Sequence, residues 1–267
     1  MLKVCNFKHN KNLIMSTNRR SFIKKSIIGA GLLTGANLLG NEAYAHEDSF
    51  KSSKISLNDG DVILFQGDSI TDVGRDRNNR NPNDTKALGQ GYALLATSEL
   101  LNKYAAKKLK VYNTGISGNR VPDLQKRWAE DTLAFKPTVL SILIGVNDFW
   151  RTIDRGAKTT VEEYKSQYQQ LLHETLQKLP NVKLIIGEPF AVKGVGHITD
   201  AWYPKFLAYQ ETARNVAKEF NAILLPYQKI FDNAQKTAPG AYWAADGVHP
   251  TLAGAQLMAA AWMDCIK

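Results

Sequence analysis

The stretch Val62-Ile63-Leu64-Phe65-Gln66-Gly67-Asp68-Ser69-Ile70-Thr71 sets four consecutive apolar residues ahead of a Gly-Asp turn with a serine behind it. A short apolar run closed by a glycine turn predicts a strand covered on both faces, as in a parallel sheet flanked by helices. Runs of the same kind recur at Val111-Tyr112, Val139-Leu140-Ser141-Ile142-Leu143-Ile144, Leu184-Ile185-Ile186 and Ile223-Leu224-Leu225. Between them, segments at 91–107, 121–134, 161–178 and 204–219 carry helical period, and a last one follows at 251–265. From Val161 onward, Tyr164, Tyr168, Leu171, Leu172, Thr175, Leu176 and Leu179 recur every three or four residues, the stripe of a helix that buries one face. The strand–helix alternation predicts an α/β chain with a five-stranded parallel sheet between two helical layers.

In open sheets of this kind, sites form where loops leave the C-terminal ends of the strands. The first strand runs into Gly67-Asp68-Ser69, the second into Asn113-Thr114-Gly115-Ile116-Ser117-Gly118-Asn119, and the third into Gly145-Val146-Asn147-Asp148. Asp246-Gly247-Val248-His249-Pro250 precedes the last helix. Each turn supplies a part that acyl transfer needs. A serine hydroxyl is a weak nucleophile at neutral pH and needs a base, which in turn needs an orienting carboxylate. Ser69, His249 and Asp246 are of those types, and Asp246 stands three residues before His249 in a loop leading into a helix. None of His46, His173 and His197 has an acidic residue three positions earlier. Charge that develops on the substrate carbonyl oxygen calls for fixed donors. The backbone N–H groups of Ser69 and Gly118 and the side-chain amide of Asn147 are assigned to that oxyanion hole, since glycine admits close approach and asparagine brings a donor without charge.

Gly67-Asp68-Ser69, Gly118, Asn147 and Asp246-x-x-His249 together resemble blocks I, II, III and V of the SGNH/GDSL hydrolases, in the right order and over residues 60–266. The resemblance implies a flavodoxin-like three-layer α/β/α fold, ester hydrolysis through an acyl-serine, and neither metal nor cofactor. The wording Gly-Ile-Ser-Gly-Asn, Ile-Gly-Val-Asn-Asp and Asp-Gly-Val-His-Pro-Thr is similar to compact bacterial esterases grouped with lysophospholipase-like and carbohydrate acetylesterases. Trp150, Arg151, Glu188 and Phe190 follow the third and fourth strands and are expected at the substrate pocket or packed at its rim. The 191–202 loop, with Gly194, Gly196 and His197, is expected to cover the site. Asp68 and Asp148 read as turn hydrogen bonders, because the triad already has its carboxylate.

The N-terminus reads as an export signal. Arg19-Arg20 precede an apolar stretch from Ile27 to Leu39, which is followed by Ala43-Tyr44-Ala45. That order of basic, apolar and small residues is a cleavable leader, and the apolar part is shorter than the roughly 20 residues needed to span a bilayer. The paired arginines resemble a twin-arginine signal, although Asn18 stands where Ser or Thr is usual. The expected organisation is a leader at 1–45, with Met15 an alternative start, a polar lead-in at 46–56, and one catalytic domain at 57–267. Removing the leader takes 7 of 34 Lys+Arg and 1 of 25 Asp+Glu, so the net charge falls from +9 to +3. The remaining basic cluster of Lys103, Lys107, Lys108 and Lys110 reads as a solvated helix end, so no nucleic-acid partner is expected. Cys265 is then the lone cysteine, read as helix packing. The sequence thus predicts a periplasmic or secreted esterase removing small acyl groups, acetyl first, from carbohydrate esters, with the twin-arginine machinery as export partner and no stable membrane anchor. A lysophospholipase or thioesterase is the alternative within enzymes. A non-catalytic carbohydrate-binding protein is the alternative outside them.

Overall fold

The computed structural model describes residues 54–267, so the leader and most of the lead-in lie outside the described residues. The elements in chain order are β1 (Val62–Gly67), α1 (Ser69–Asp72), α2 (Thr85–Leu88), α3 (Tyr92–Lys103), β2 (Lys110–Asn113), α4 (Val121–Asp131), β3 (Val139–Leu143), α5 (Val146–Asp154), α6 (Val161–Lys178), β4 (Lys183–Gly187), α7 (Lys205–Glu219), β5 (Ile223–Leu225), α8 (Tyr227–Ala234), α9 (Gly240–Trp243) and α10 (Leu252–Met263). The strands form one five-stranded sheet in the order β2-β1-β3-β4-β5, parallel throughout. This is the α/β/α fold expected from the sequence.

Alternation along β1 assigns its two faces. Phe65 turns toward α3 and α10, with ring centroids 5.7 Å from Tyr92 and 4.9 Å from Trp262. Gln66 turns the other way, and its amide reaches Thr132 just beyond α4 at 2.9 Å. Burial of both faces explains why β1 and β3 read as largely apolar runs, with Ser141 the polar residue inside β3. Trp262 is fully buried and ties α10 to the sheet through Nε1, which donates to Ser141 Oγ at 3.1 Å. On the opposite layer, Trp128 Nε1 of α4 donates to Thr175 Oγ1 of α6 at 2.9 Å.

Helix α6 begins where it does because Thr160 and Glu163 cap it reciprocally: Glu163 N–H donates to Thr160 Oγ1 at 3.1 Å, and Thr160 N–H donates to Glu163 Oε2 at 2.8 Å. Its bounds match the expected 161–178, whereas α3 stops at Lys103, short of 107, and a separate 3-10 turn follows at Ala105–Lys107. Gly145-Val146-Asn147-Asp148 is a helix start and not a simple turn. The end of the segment read as a polar lead-in is structured: Ile55 is buried and bridges to Ile266 in parallel, its N–H donating to Cys265 O at 2.7 Å.

Truncation of Trp262 to alanine removes a packed ring and leaves Ser141 Oγ without its donor. Trp262→Ala is expected to cost about 3–5 kcal/mol of unfolding free energy, checked by the urea midpoint at unchanged m-value.

Candidate active site

The register of the sheet creates the site. Gly67 pairs with Leu143, Leu143 with Gly187, and Gly187 with Leu225, while Asn113 pairs with Phe65 near the same row. The strands therefore end together, and the loops that follow them share one edge.

Ser69 opens α1 directly after the turn at Asp68, whose carboxylate caps the helix by accepting from Ile70 N–H at 3.0 Å. His249 lies 180 residues further on, and its Nε2 is 2.7 Å from Ser69 Oγ. Its Nδ1 is 2.7 Å from Asp246 Oδ2. The other oxygen of Asp246 accepts from the backbone N–H groups of Val248 at 2.9 Å and His249 at 2.7 Å. Burial alone would raise the Asp246 carboxyl, but these backbone bonds and the His249 ring outweigh it and hold the group below its ordinary value. A carboxylate that stays ionised fixes the imidazole with Nδ1 as donor and leaves Nε2 to accept the Ser69 proton.

The 191–202 loop buttresses this acid–base turn. Val192 N–H donates to Gly247 O at 2.7 Å. Gly196 adopts φ +55, and a Cβ there would collide with the Asp246 backbone, so only glycine lets the loop approach this closely. Trp150 is half-buried against the loop, with ring centroids 5.5 Å from Trp202 and 6.2 Å from His197.

The backbone N–H groups of Ser69 and Gly118 have no protein acceptor among the described residues, and Gly118 holds φ +83 with open space around it. A clamp that sequence reasoning missed fixes this loop. Asp72 Oδ2 accepts from Ser117 N–H at 2.9 Å and Ser117 Oγ at 2.6 Å. Arg75 Nε donates to Gly115 O at 2.8 Å, and Arg127 donates to Thr114 O and Asn119 Oδ1, each at 2.8 Å. Arg127 also reaches Gln66 Oε1 at 2.8 Å, so the end of β1 and the Gly118 loop hang on one guanidinium. Burial raises the Asp72 carboxyl, yet its bonds from Arg77 and Ser117 prevail and lower it overall. Asn147 stands in the first turn of α5, 3% exposed, with Nδ2 donating to Asn119 O at 3.2 Å and Oδ1 accepting from Arg151 at 3.1 Å.

Two of the expected pocket residues are elsewhere. Phe190 is core, fully buried and stacked 4.3 Å from Phe231, because the chain turns inward beyond β4. Glu188 is buried in an ion pair with Arg214 and accepts from Gln228 N–H at 3.3 Å, so its carboxylate joins α7 and α8 to the end of β4. Neither residue's contacts leave it free to meet a substrate.

The fold and the hydrogen-bonded chain Ser69–His249–Asp246 have the arrangement a serine hydrolase requires. Residues 65–257 match the GDSL-like Lipase/Acylhydrolase family. An acetylxylan esterase of Geobacillus stearothermophilus is 36% identical over 211 residues, covering 78% of this chain and 95% of that protein. Among solved structures, a protein named a GDSL-like lipase from Parabacteroides merdae superposes with TM-score 0.78 at 51% identity, over 79% of this chain and 98% of the other. A crystal structure of the Geobacillus esterase superposes with TM-score 0.70 at 33% identity, over 78% and 94%. The chain belongs to the GDSL-like lipase/acylhydrolase family, and it is a carboxylic ester hydrolase.

Beneath the site lie two carboxyl groups that the triad does not use. Asp68 and Asp148 are fully buried, each with one oxygen that finds no partner among the described residues, and burial pushes both up to about 7. An unfolded chain ionises these groups near pH 4. Between about pH 4 and 7 the unfolded state therefore binds fewer protons than the fold, and the stability these groups contribute is lost as pH rises through that window. Asp148→Asn, which keeps an acceptor for Val121 N–H (3.1 Å in the wild type), is expected to flatten the decline. Thermal unfolding from pH 4 to 8 measures it, and an unchanged slope contradicts the assignment.

Proposed function

We propose that the protein is an exported acetylesterase that removes acetyl groups from xylan-type carbohydrate esters, with Ser69 as nucleophile, His249 as general base and acid, and Asp246 as its orienting carboxylate. The observation that carries the reading is the continuous chain Ser69 Oγ–His249–Asp246, with both links at 2.7 Å, beside two backbone donors without protein acceptors. Support for a small acyl group comes from the relative named an acetylxylan esterase. Catalytic mutants of that enzyme have been crystallised with a serine and an aspartate changed to alanine, the residue types proposed here for nucleophile and orienting acid.

In this mechanism Nε2 of His249 takes the Ser69 proton as Oγ forms a bond to the ester carbon, and the carbonyl π pair moves onto oxygen. That oxyanion is met by the N–H groups of Ser69 and Gly118 and by the Asn147 amide. A fixed donor of this kind is worth roughly 3–4 kcal/mol of barrier. Collapse breaks the bond to the sugar oxygen, which leaves with the proton from Nε2, and acetyl-Ser69 remains. Water then attacks, giving one proton to Nε2, and collapse returns that proton to Ser69 Oγ and releases acetic acid, which ionises to acetate in solvent. The steps run on side chains, backbone N–H groups and water, and call for no cofactor.

Ser69→Ala is expected to lower kcat on p-nitrophenyl acetate by several orders of magnitude, and a fluorophosphonate should label Ser69 as found by mass spectrometry. The wild type should turn over the acetate ester faster than the long-chain ester. Preference for the long chain would favour a lysophospholipase or thioesterase.

The leader at 1–45 is the ground for export through the twin-arginine machinery to the periplasm or beyond. Changing Arg19 and Arg20 together to lysine should retain the precursor in the cytoplasm, read by cell fractionation. Amino-terminal sequencing of exported protein should begin at His46.

A further inference from the structure

The oxyanion donor Asn147 is only useful in one of its two amide orientations, and the structure shows what selects it. Asn147 Oδ1 accepts from Arg151 Nη2 at 3.1 Å, one helical turn along α5, while Nδ2 donates to Asn119 O at 3.2 Å. A flipped amide would set two acceptors together at Asn119 and two donors together at Arg151, so both bonds would be lost at once. In the observed orientation one of the two Nδ2 hydrogens is taken by Asn119, the residue after Gly118, and the other has no acceptor among the described residues. The guanidinium is itself held: it pairs with Asp154, and its Cζ lies 4.9 Å from the centroid of the Trp150 ring. Its side chain is 17% exposed, so the charge acts with little screening by water.

We infer that Arg151 is the positioning residue of the oxyanion hole, which fixes the Asn147 amide and, by charging the hydrogen bond to Oδ1, makes the free Nδ2–H a stronger donor. This assigns Arg151 to the transition state and not to recognition of an acidic or sugar group, and it rests on the proposed role of Asn147. A bond from a cation to an amide oxygen draws electron density from the nitrogen and strengthens the hydrogen bonds that nitrogen donates. The gain appears when negative charge forms, so it acts on kcat with little change in KM.

The test is a double-mutant cycle on p-nitrophenyl acetate with Asn147→Ala, Arg151→Met and the pair. Arg151→Met keeps the aliphatic stem against Trp150 and removes the donor. Asn147→Ala should lower kcat by about 100-fold or more. Arg151→Met should lower kcat about 10- to 100-fold at nearly constant KM, and Arg151→Lys, which keeps a cationic donor, should recover part of that loss. In the Asn147→Ala background, Arg151→Met should cost almost nothing further, because the group it positions is gone. If Asn147→Ala leaves kcat unchanged, the assignment of Asn147 itself fails. If Asn147→Ala slows turnover but Arg151→Met does not, or slows it equally in both backgrounds, the positioning role fails and the reading of Asn147 stands. A raised KM from Arg151→Met that persists in the Asn147→Ala background would make Arg151 a substrate contact instead. Far-UV circular dichroism and fluorophosphonate labelling of Ser69 in each variant separate a loss of fold from a loss of rate.

Discussion

Everything at the site depends on the parallel register that aligns Gly67, Leu143, Gly187 and Leu225 in one row across the sheet. Parallel strands need crossovers, so each return of the chain passes through a helical layer before it reaches that row again. The result is that segments remote in sequence arrive at one edge with their backbone directions already matched. A slip of one residue in the β1–β3 pairing would turn Phe65 away from Trp262 and put Gln66 in its place, and the nucleophile would move with it.

On this frame the two halves of the proposed chemistry are held in different ways. The acid–base half is local: Asp246 grips its own turn through two backbone N–H groups, and the 191–202 loop presses against it from outside. The oxyanion half is assembled at long range, with Asp72, Arg75 and Arg127 reaching from α1, the loop after it and α4 to backbone and side-chain atoms of the 114–119 loop. Charged side chains bonded to backbone carbonyls carry geometric stiffness into a loop that has no secondary structure of its own. The proposed oxyanion donors are thereby placed before a substrate arrives, which is where the catalytic advantage of a preorganised site comes from.

The strands, the helix over Val161–Lys178 and the four polar segments that meet at the site edge were legible in the sequence because periodicity and glycine-bearing polar motifs are local signals. What was illegible is instructive. Glu188 and Phe190 follow a strand end, yet position after a strand does not say which way a side chain turns, and here the chain folds one into an ion pair and the other into the core. The start of α5 was hidden because Asn147 and Asp148 break the apolar pattern within its first turn. The clamp at Asp72, Arg75 and Arg127 leaves no spacing signature, since its partners in the 114–119 loop are backbone and side-chain atoms 8 to 45 residues away. Arg151 was marked for its nearness to the third block, and only the amide bond to Asn147 shows what that nearness means.

The bridge between Ile55 and Ile266 joins the first described strand-like residue to the end of α10, on the side where β4 begins, as the bond from Lys183 Nζ to Ser56 O at 2.7 Å indicates. Helix α10 starts at the His249 turn and runs the depth of the sheet to reach that point. Ile55 and Ile266 therefore lie by the strand starts, while Ser69 follows the end of β1. A tether attached beside Ile55 or Ile266 would leave from the end of the sheet where the strands begin, a layout that suits the enzyme to immobilisation at those positions.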